Sequence, residues 1–213
     1  MSTGVRLVLA GAGGAGREVA ELVRTSPRWV ERNGVVDVVL LDDAPAPGVD
    51  VVGGIADHVP LEGDVHLCTL GDPGARRRVA GILGERGARF ATFVDDRALV
   101  LPSATIGEGS VVYPQVVVTS DVRVGRHAWI STAAVLGHDA SLGDHVTVSG
   151  SAQVLGGAQV GDGSHVACSA VVLPGCRVGR DAVVGAGSVA LRRVPDATTV
   201  FGVPGRPVHR RAP

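Results

Sequence analysis

From Ile106 onward every sixth residue is aliphatic: Ile106, Val112, Val118, Val124, Ile130, Leu136, Leu142, Val148, Val154, Val160, Val166, Val172, Val178 and Val184. A run this long without a miss has a chance probability on the order of 10⁻⁷, so it is a structural repeat. The position two before the aliphatic is small in most repeats, as at Ala104, Ser110, Ala128, Ala134, Ala140, Ala152, Ala158, Ser164, Ala170, Cys176, Ala182 and Ser188. Val116, Val122 and Val146 are the larger exceptions. A wide and a narrow apolar position in strands too short to be helices predict a parallel β-helix. Three hexapeptides per triangular coil stack residues eighteen apart, giving about five coils between 106 and 190, each roughly 4.8 Å above the last. Glycine follows many of the aliphatics, as at Gly107, Gly125, Gly137 and Gly161, where the chain turns tightly or meets a neighbouring backbone.

The pattern before this repeat is different. Val5 to Ala10 reads as an apolar strand running into Gly11-Ala12-Gly13-Gly14-Ala15-Gly16, with helical spacing over Arg17 to Arg24. Val35 to Leu41 is a second strand ending in Asp42-Asp43, His66 to Leu70 a third, Gly74 to Glu85 a helix and Phe90 to Val94 a fourth strand. Strands alternating with helices predict a small Rossmann-like parallel sheet, with the glycine loop at the carboxyl end of its first strand. The expected organisation is an α/β domain over 1–95 and a β-helix with a C-terminal tail over 96–213.

The formal net charge of −1 excludes a binder of nucleic acid or of anionic membranes, which needs a basic excess. No window reaches the roughly 18 apolar residues of a membrane span, and Met1 to Gly4 leads into a strand without a signal-peptide pattern. Cys68, Cys168 and Cys176 are odd in number and lack metal-ligand spacing, which points to a reducing cytoplasm, with Cys68 and Cys176 packed in the core.

Gly11, Gly13 and Gly16 fit G-x-G-x-x-G between a strand and a helix, where free N–H groups and the helix N-terminus hold a phosphate. Asp42 lies too far beyond the loop for the usual ribose contact of NAD, and the domain lacks a second mononucleotide half. A single nucleotide, such as a nucleotide sugar, fits better. In the β-helix the candidate chemistry is histidine. His138 falls two past Leu136, pointing outward beside Asp139, and a carboxylate at a histidine fixes its tautomer and stabilises the imidazolium, as a general base requires. His127 and His145, eighteen apart, stack on one face and read as a solvated surface pair, with a weak metal site as the alternative.

These motifs together resemble the sialic-acid O-acetyltransferase and bacillosamine-pathway N-acetyltransferase family of left-handed β-helix enzymes. The resemblance rests on the Gly11 to Gly16 loop, Asp42-Asp43, Leu70-Gly71-Asp72 with Arg76, Gly137-His138-Asp139, Gly156-Gly157, Gly185-Ala186-Gly187-Ser188 and the tail Gly202-Val203-Pro204-Gly205. It implies a left-handed coil, a homotrimer, and acetyl-CoA lying between neighbouring β-helices with no metal. It further implies His138 as base with Asp139 behind it, and the Gly156 N–H at the acetyl oxygen. Thr147, Cys168 and Ala186 match the CoA groove, and Gly11, Gly13, Gly14, Asp42 and Asp43 the nucleotide-sugar side. Ala15, Ser131 and Thr147 depart from the histidine, asparagine and histidine common in the family, which leaves the acceptor open: an amine or hydroxyl of a sugar, a nucleotide sugar or a secondary metabolite. The reading from another class is a non-catalytic trimer that binds a ligand without turnover.

Overall fold

The computed structural model describes residues 4–210; residues 1–3 and 211–213, the outer ends of the two expected domains, lie outside them. The N-terminal unit is built from β1 (Val5–Ala10), α1 (Gly14–Arg24), α2 (Pro27–Asn33), β2 (Val35–Leu41), β3 (Asp64–Cys68) and α3 (Pro73–Glu85). Its three strands are parallel in the order β2-β1-β3. The spacing over Arg17 to Arg24 marks all but the first turn of α1, whereas α2 carries no comparable signal and was not expected. Pro27 opens α2 and Gly34, in the left-handed region at φ 64°, closes it.

The expected fourth strand divides in two. Phe90 makes a single bridge to His66 at the sheet edge, whereas Phe93–Val94 leaves the sheet and pairs with Val111–Val112 as the first rung of the β-helix. Val94 and Val100 stand twelve and six residues before Ile106, so the hexapeptide register begins there and the prism gains a coil over the five expected. The polar Asp95 to Thr105 segment hides this start, although Asp95 is buried and ion-paired with Arg97.

The prism has three parallel faces. Face 1 stacks Phe93–Val94, Val111–Val112, Trp129–Ile130, Thr147–Val148, His165–Val166 and Val183–Val184. Face 2 stacks the strands from Leu99–Val100 to Val189–Ala190, and face 3 those from Thr105–Ile106 to Arg177–Val178. Partners lie eighteen residues apart, as Trp129 does between Val111 and Thr147. From Val112 to Val184 the repeat aliphatics are 4% exposed or less, and the small residues two before them lie in the same buried core. At Gly107 and Gly125 a Cβ would lie 2.5 Å from the next coil's backbone, so these glycines serve close approach. The turns themselves bend three residues after each aliphatic, from Gly109 to Gly187, where every sixth residue has positive φ. Gln115, Asp121, His127, Ala133, Asp139, His145, Ser151, Ser169 and Asp181 hold that conformation without being glycine.

The outward residues distinguish the faces. On face 1 Val111, Trp129 and Thr147 are buried beneath the N-terminal unit, where Tyr113 donates to Glu18 of α1 at 3.1 Å. Face 3 presents Arg123, Ser141, Gln159 and Arg177, which suit water. Face 2 presents Leu99, Val117, Val135, Val171 and Val189, an apolar ladder interrupted at Gln153 and not fully covered within the chain.

Candidate active site

His138 and Asp139 occupy the corner between faces 2 and 3. Asp139 takes the left-handed turn position, φ 60°, which aspartate tolerates better than most residues. This bend swings its carboxylate back along the chain, so that Nδ1 of His138 donates to Oδ2 of Asp139 at 2.8 Å. With the proton held on Nδ1, Nε2 presents its lone pair to solvent. The pair is open, with side-chain exposures of 73% and 66%. Its backbone is fixed on both sides by the coil ladder, through Asp139 N–H to Ser120 O at 3.0 Å and Gly157 N–H to His138 O at 2.8 Å.

Gly156 sits one coil above the imidazole. A Cβ there would lie 2.7 Å from Nε2, so only glycine lets the imidazole lie this close to the backbone of the next coil. Leu155 and Gly157 spend their N–H groups on Val172 and His138, whereas among the described residues the Gly156 N–H has no partner within the chain. A base nitrogen and an unspent backbone donor thus stand on neighbouring coils of one corner, and acyl transfer needs one group of each kind, for the incoming nucleophile and for the oxyanion.

Cys168 and Ala186, both exposed, lie at a different corner, between faces 1 and 2, where Gly187 N–H donates to Cys168 O at 2.9 Å. Thr147 lies apart from both groups. It is buried on face 1, and Nη2 of Arg76 donates to its hydroxyl at 2.9 Å.

In the N-terminal unit the glycine loop comes together with Asp42, whereas Asp43 turns to the segment after β2. Gly11 (φ 115°) turns the chain away from β1, and a side chain at Gly16 would collide with the Gly11 carbonyl. Gly13 and Gly14 face open space at the N-terminus of α1, so these two leave room for a phosphate. Asp42 accepts from Ala12 N–H at 2.7 Å and from Ala44 N–H at 2.9 Å, and so braces the loop. Asp43 accepts from Ala56 N–H at 2.9 Å.

The histidine pair at the corner between faces 3 and 1 corrects the expectation of a solvated surface. His127 and His145 stack with centroids 5.1 Å apart and planes 5° from parallel, and Phe90 meets His127 edge-on at 4.6 Å. His127 is 5% exposed because the N-terminal unit covers it. Burial, with His145 and arginines nearby, pushes its pKa down to about 4, so the imidazole is neutral. The covering is held by Arg76, itself 1% exposed. Its guanidinium donates to the carbonyls of His127 and His145 at 2.8 Å each, to Leu70 at 2.8 Å and to Gly71 at 3.2 Å. Burial lowers its pKa to about 10, which still leaves it charged near neutrality. The resemblance quotes Arg76, but nothing in the local sequence announces a buried clamp.

Three solved structures share this architecture along the whole chain. The acetyltransferase domain of PglB from Neisseria gonorrhoeae FA1090, in complex with acetyl coenzyme A, matches with a TM-score of 0.87 at 29% identity, over 96% of this chain and 100% of that one. PerB from Caulobacter crescentus, in complex with CoA and GDP-perosamine, matches with a TM-score of 0.84 at 30% identity, over 98% of this chain and 99% of that one. WeeI from Acinetobacter baumannii AYE shares the fold, with a TM-score of 0.76 at 24% identity over 96% and 100% of the two chains. No protein-family model and no curated protein matches the chain. Fold and corner geometry together define an enzyme, an acetyltransferase built on a left-handed β-helix. The chain belongs to the bacillosamine-type family of hexapeptide-repeat sugar N-acetyltransferases.

Proposed function

We propose that this enzyme transfers the acetyl group of acetyl-CoA to the amine of a nucleotide-linked amino sugar, with His138 as general base. The observation that carries the reading is the 2.8 Å bond from His138 Nδ1 to Asp139, with Nε2 open beside the side-chain-free Gly156. The likeness to PglB bound to acetyl-CoA and to PerB bound to CoA and GDP-perosamine supports both substrates, and PerB has been solved as variants of a single histidine. Nε2 takes the amine proton as the nitrogen attacks the thioester carbonyl. The tetrahedral oxyanion faces the Gly156 N–H, and its collapse expels the CoA thiolate. Asp139 stabilises the imidazolium formed. No acyl-enzyme is required, and neither is a metal.

On this reading residues 1–95 hold the acceptor's nucleotide at Gly13 and Gly14, and residues 96–213 carry the transfer, with Cys168 and Ala186 along the CoA groove. The N-terminal unit covers face 1, and the His138 corner is the edge of the prism opposite that face. One chain therefore cannot bring its own glycine loop to its own base. The partly exposed apolar ladder of face 2 lies between the His138 corner and the Cys168 corner and supplies a surface for a second copy, so the working form is a homotrimer with shared sites. No helix among the described residues is long and apolar enough to cross a membrane. The three free thiols and a nucleotide-sugar acceptor fit the cytoplasm.

The test is release of CoA thiol from acetyl-CoA against a panel of GDP-, UDP- and TDP-linked amino sugars and their hydroxyl counterparts. Turnover confined to an amino sugar establishes N-acetylation of a nucleotide sugar. Silence across the panel favours the ligand-binding alternative. Light scattering checks the assembly, and a monomer at assay concentration contradicts the shared site.

A further inference from the structure

Asp64 and His66 alternate with Val65 along β3, so their side chains leave the sheet on the same face. Asp64 is 4% exposed and His66 is fully buried. The loop before the strand brings His58 onto them, with its Nε2 2.9 Å from Nε2 of His66. One ligand atom from each of the three residues falls within 4.8 Å of the others. Each donor on the strand is oriented from behind. His66 Nδ1 donates to Arg89 O at 3.2 Å, which leaves Nε2 as the lone-pair nitrogen. Arg6 donates from Nε to Oδ1 of Asp64 at 2.9 Å and from Nη2 to Oδ2 at 2.8 Å, and Leu61 N–H adds 3.2 Å to Oδ2. A carboxylate offers about four lone-pair directions, so one remains, on Oδ1.

The geometry points to a divalent metal site of the zinc type formed by His58 Nε2, His66 Nε2 and Asp64 Oδ1, with water as fourth ligand. Two imidazoles and one carboxylate suit zinc and its neighbours better than magnesium or calcium, which prefer oxygen alone. Burial lowers the pKa of both histidines and so favours the neutral, ligating form. Zinc to nitrogen bonds of about 2.0–2.1 Å hold tetrahedral partners about 3.4 Å apart, so the rings must part by about 0.5 Å. His58 can supply that shift, since it is partly exposed on a loop. A surface cavity of about 780 Å³, whose lining includes Arg6, Leu61, Asp64 and Arg89, borders the site. The site belongs to the N-terminal sheet and takes no part in acetyl transfer. Its effect is to fasten the loop before β3 onto the strand.

Chelator-treated protein titrated with Co²⁺, whose visible absorption reports tetrahedral coordination, tests the site. The expected result is one equivalent bound, an absorption band erased by Zn²⁺, and a thermal midpoint raised by Zn²⁺. His58→Ala should weaken binding at least about tenfold and abolish the thermal shift while leaving acetyl transfer intact. Should that variant fold poorly, His58→Gln, closer in size, gives the same readout. Absence of the band at stoichiometric Co²⁺ overturns the proposal and makes the two rings a plain hydrogen-bonded pair. An unchanged band and affinity in a folded His58 variant also overturns it, because the ion then sits elsewhere.

Discussion

Two corners of one prism carry histidines on nearly equivalent positions of the same repeat, and their chemistry is opposite. At the corner between faces 2 and 3, His138 stands two after its aliphatic, open to solvent and hydrogen-bonded to a carboxylate. At the corner between faces 3 and 1, His127 and His145 stand three after theirs, stacked, without a carboxylate bond and with both Nδ1 atoms buried and unpartnered. The coil geometry is the same at both. What differs is the cover, since Arg76 and Phe90 of the N-terminal unit close over one corner and leave the other free. In a repeat protein the hexapeptide fixes where a side chain points, and the element docked against it fixes whether that side chain is buried or open to solvent.

The largest structural effect should come from removing the cover. Arg76→Met leaves the carbonyls of Leu70, His127 and His145 without their donor, and loss of such a buried network costs about 3 kcal/mol or more. For a chain of this size that is a fall of about 6–12 °C in thermal midpoint, measurable by calorimetry. A change under one degree would mean the clamp is ornamental.

The covered pair should also make the protein acid-sensitive. His127 titrates near 4 in the fold and near 6.5 in an unfolded chain, so between these values the unfolded state binds a proton that the native state refuses. Stability therefore falls as the pH falls through this window, by on the order of 3 kcal/mol in total, and is recovered above it. His127→Asn, which tolerates positive φ, should flatten the dependence of the urea midpoint on pH between 7 and 4.5. An unchanged slope would place the sensitivity elsewhere.

At the open corner a single methyl should act in the reverse sense, on rate and not on stability. Gly156→Ala pushes the imidazole off Asp139, and turnover should drop about 10–100-fold, which is about 1.4–2.7 kcal/mol of barrier. The thermal midpoint should hold. Full activity would show that the space beside Nε2 is not where the reaction occurs.

This division also explains what could be read in advance. The prism was legible because its period is local, and each wide and narrow position depends only on residues within the hexapeptide. The outward placing of His138 beside Asp139 was legible because the two are adjacent and their corner is left open. His127 and His145 were misread because their burial comes from Phe90 and Arg76, far off in the chain, and no pattern around either histidine encodes that docking. Thr147 illustrates the same limit, since its partner Arg76 stands 71 residues away. The start of the coil at Phe93 was missed for a different reason: Val94 and Val100 keep the register, but the polar residues between them look like a linker.

The most direct test of the account pairs two readings on wild type and His138→Ala: turnover with acetyl-CoA and the best amino-sugar acceptor, and acetyl-CoA affinity by calorimetry. General-base catalysis contributes about 10²–10⁴-fold, so turnover should fall by that factor while affinity and thermal midpoint stay within error, because the side chain is exposed and only its proton transfer is lost. A variant that keeps its turnover, or one that loses acetyl-CoA binding to the same extent, contradicts the assignment of the open corner as the catalytic one.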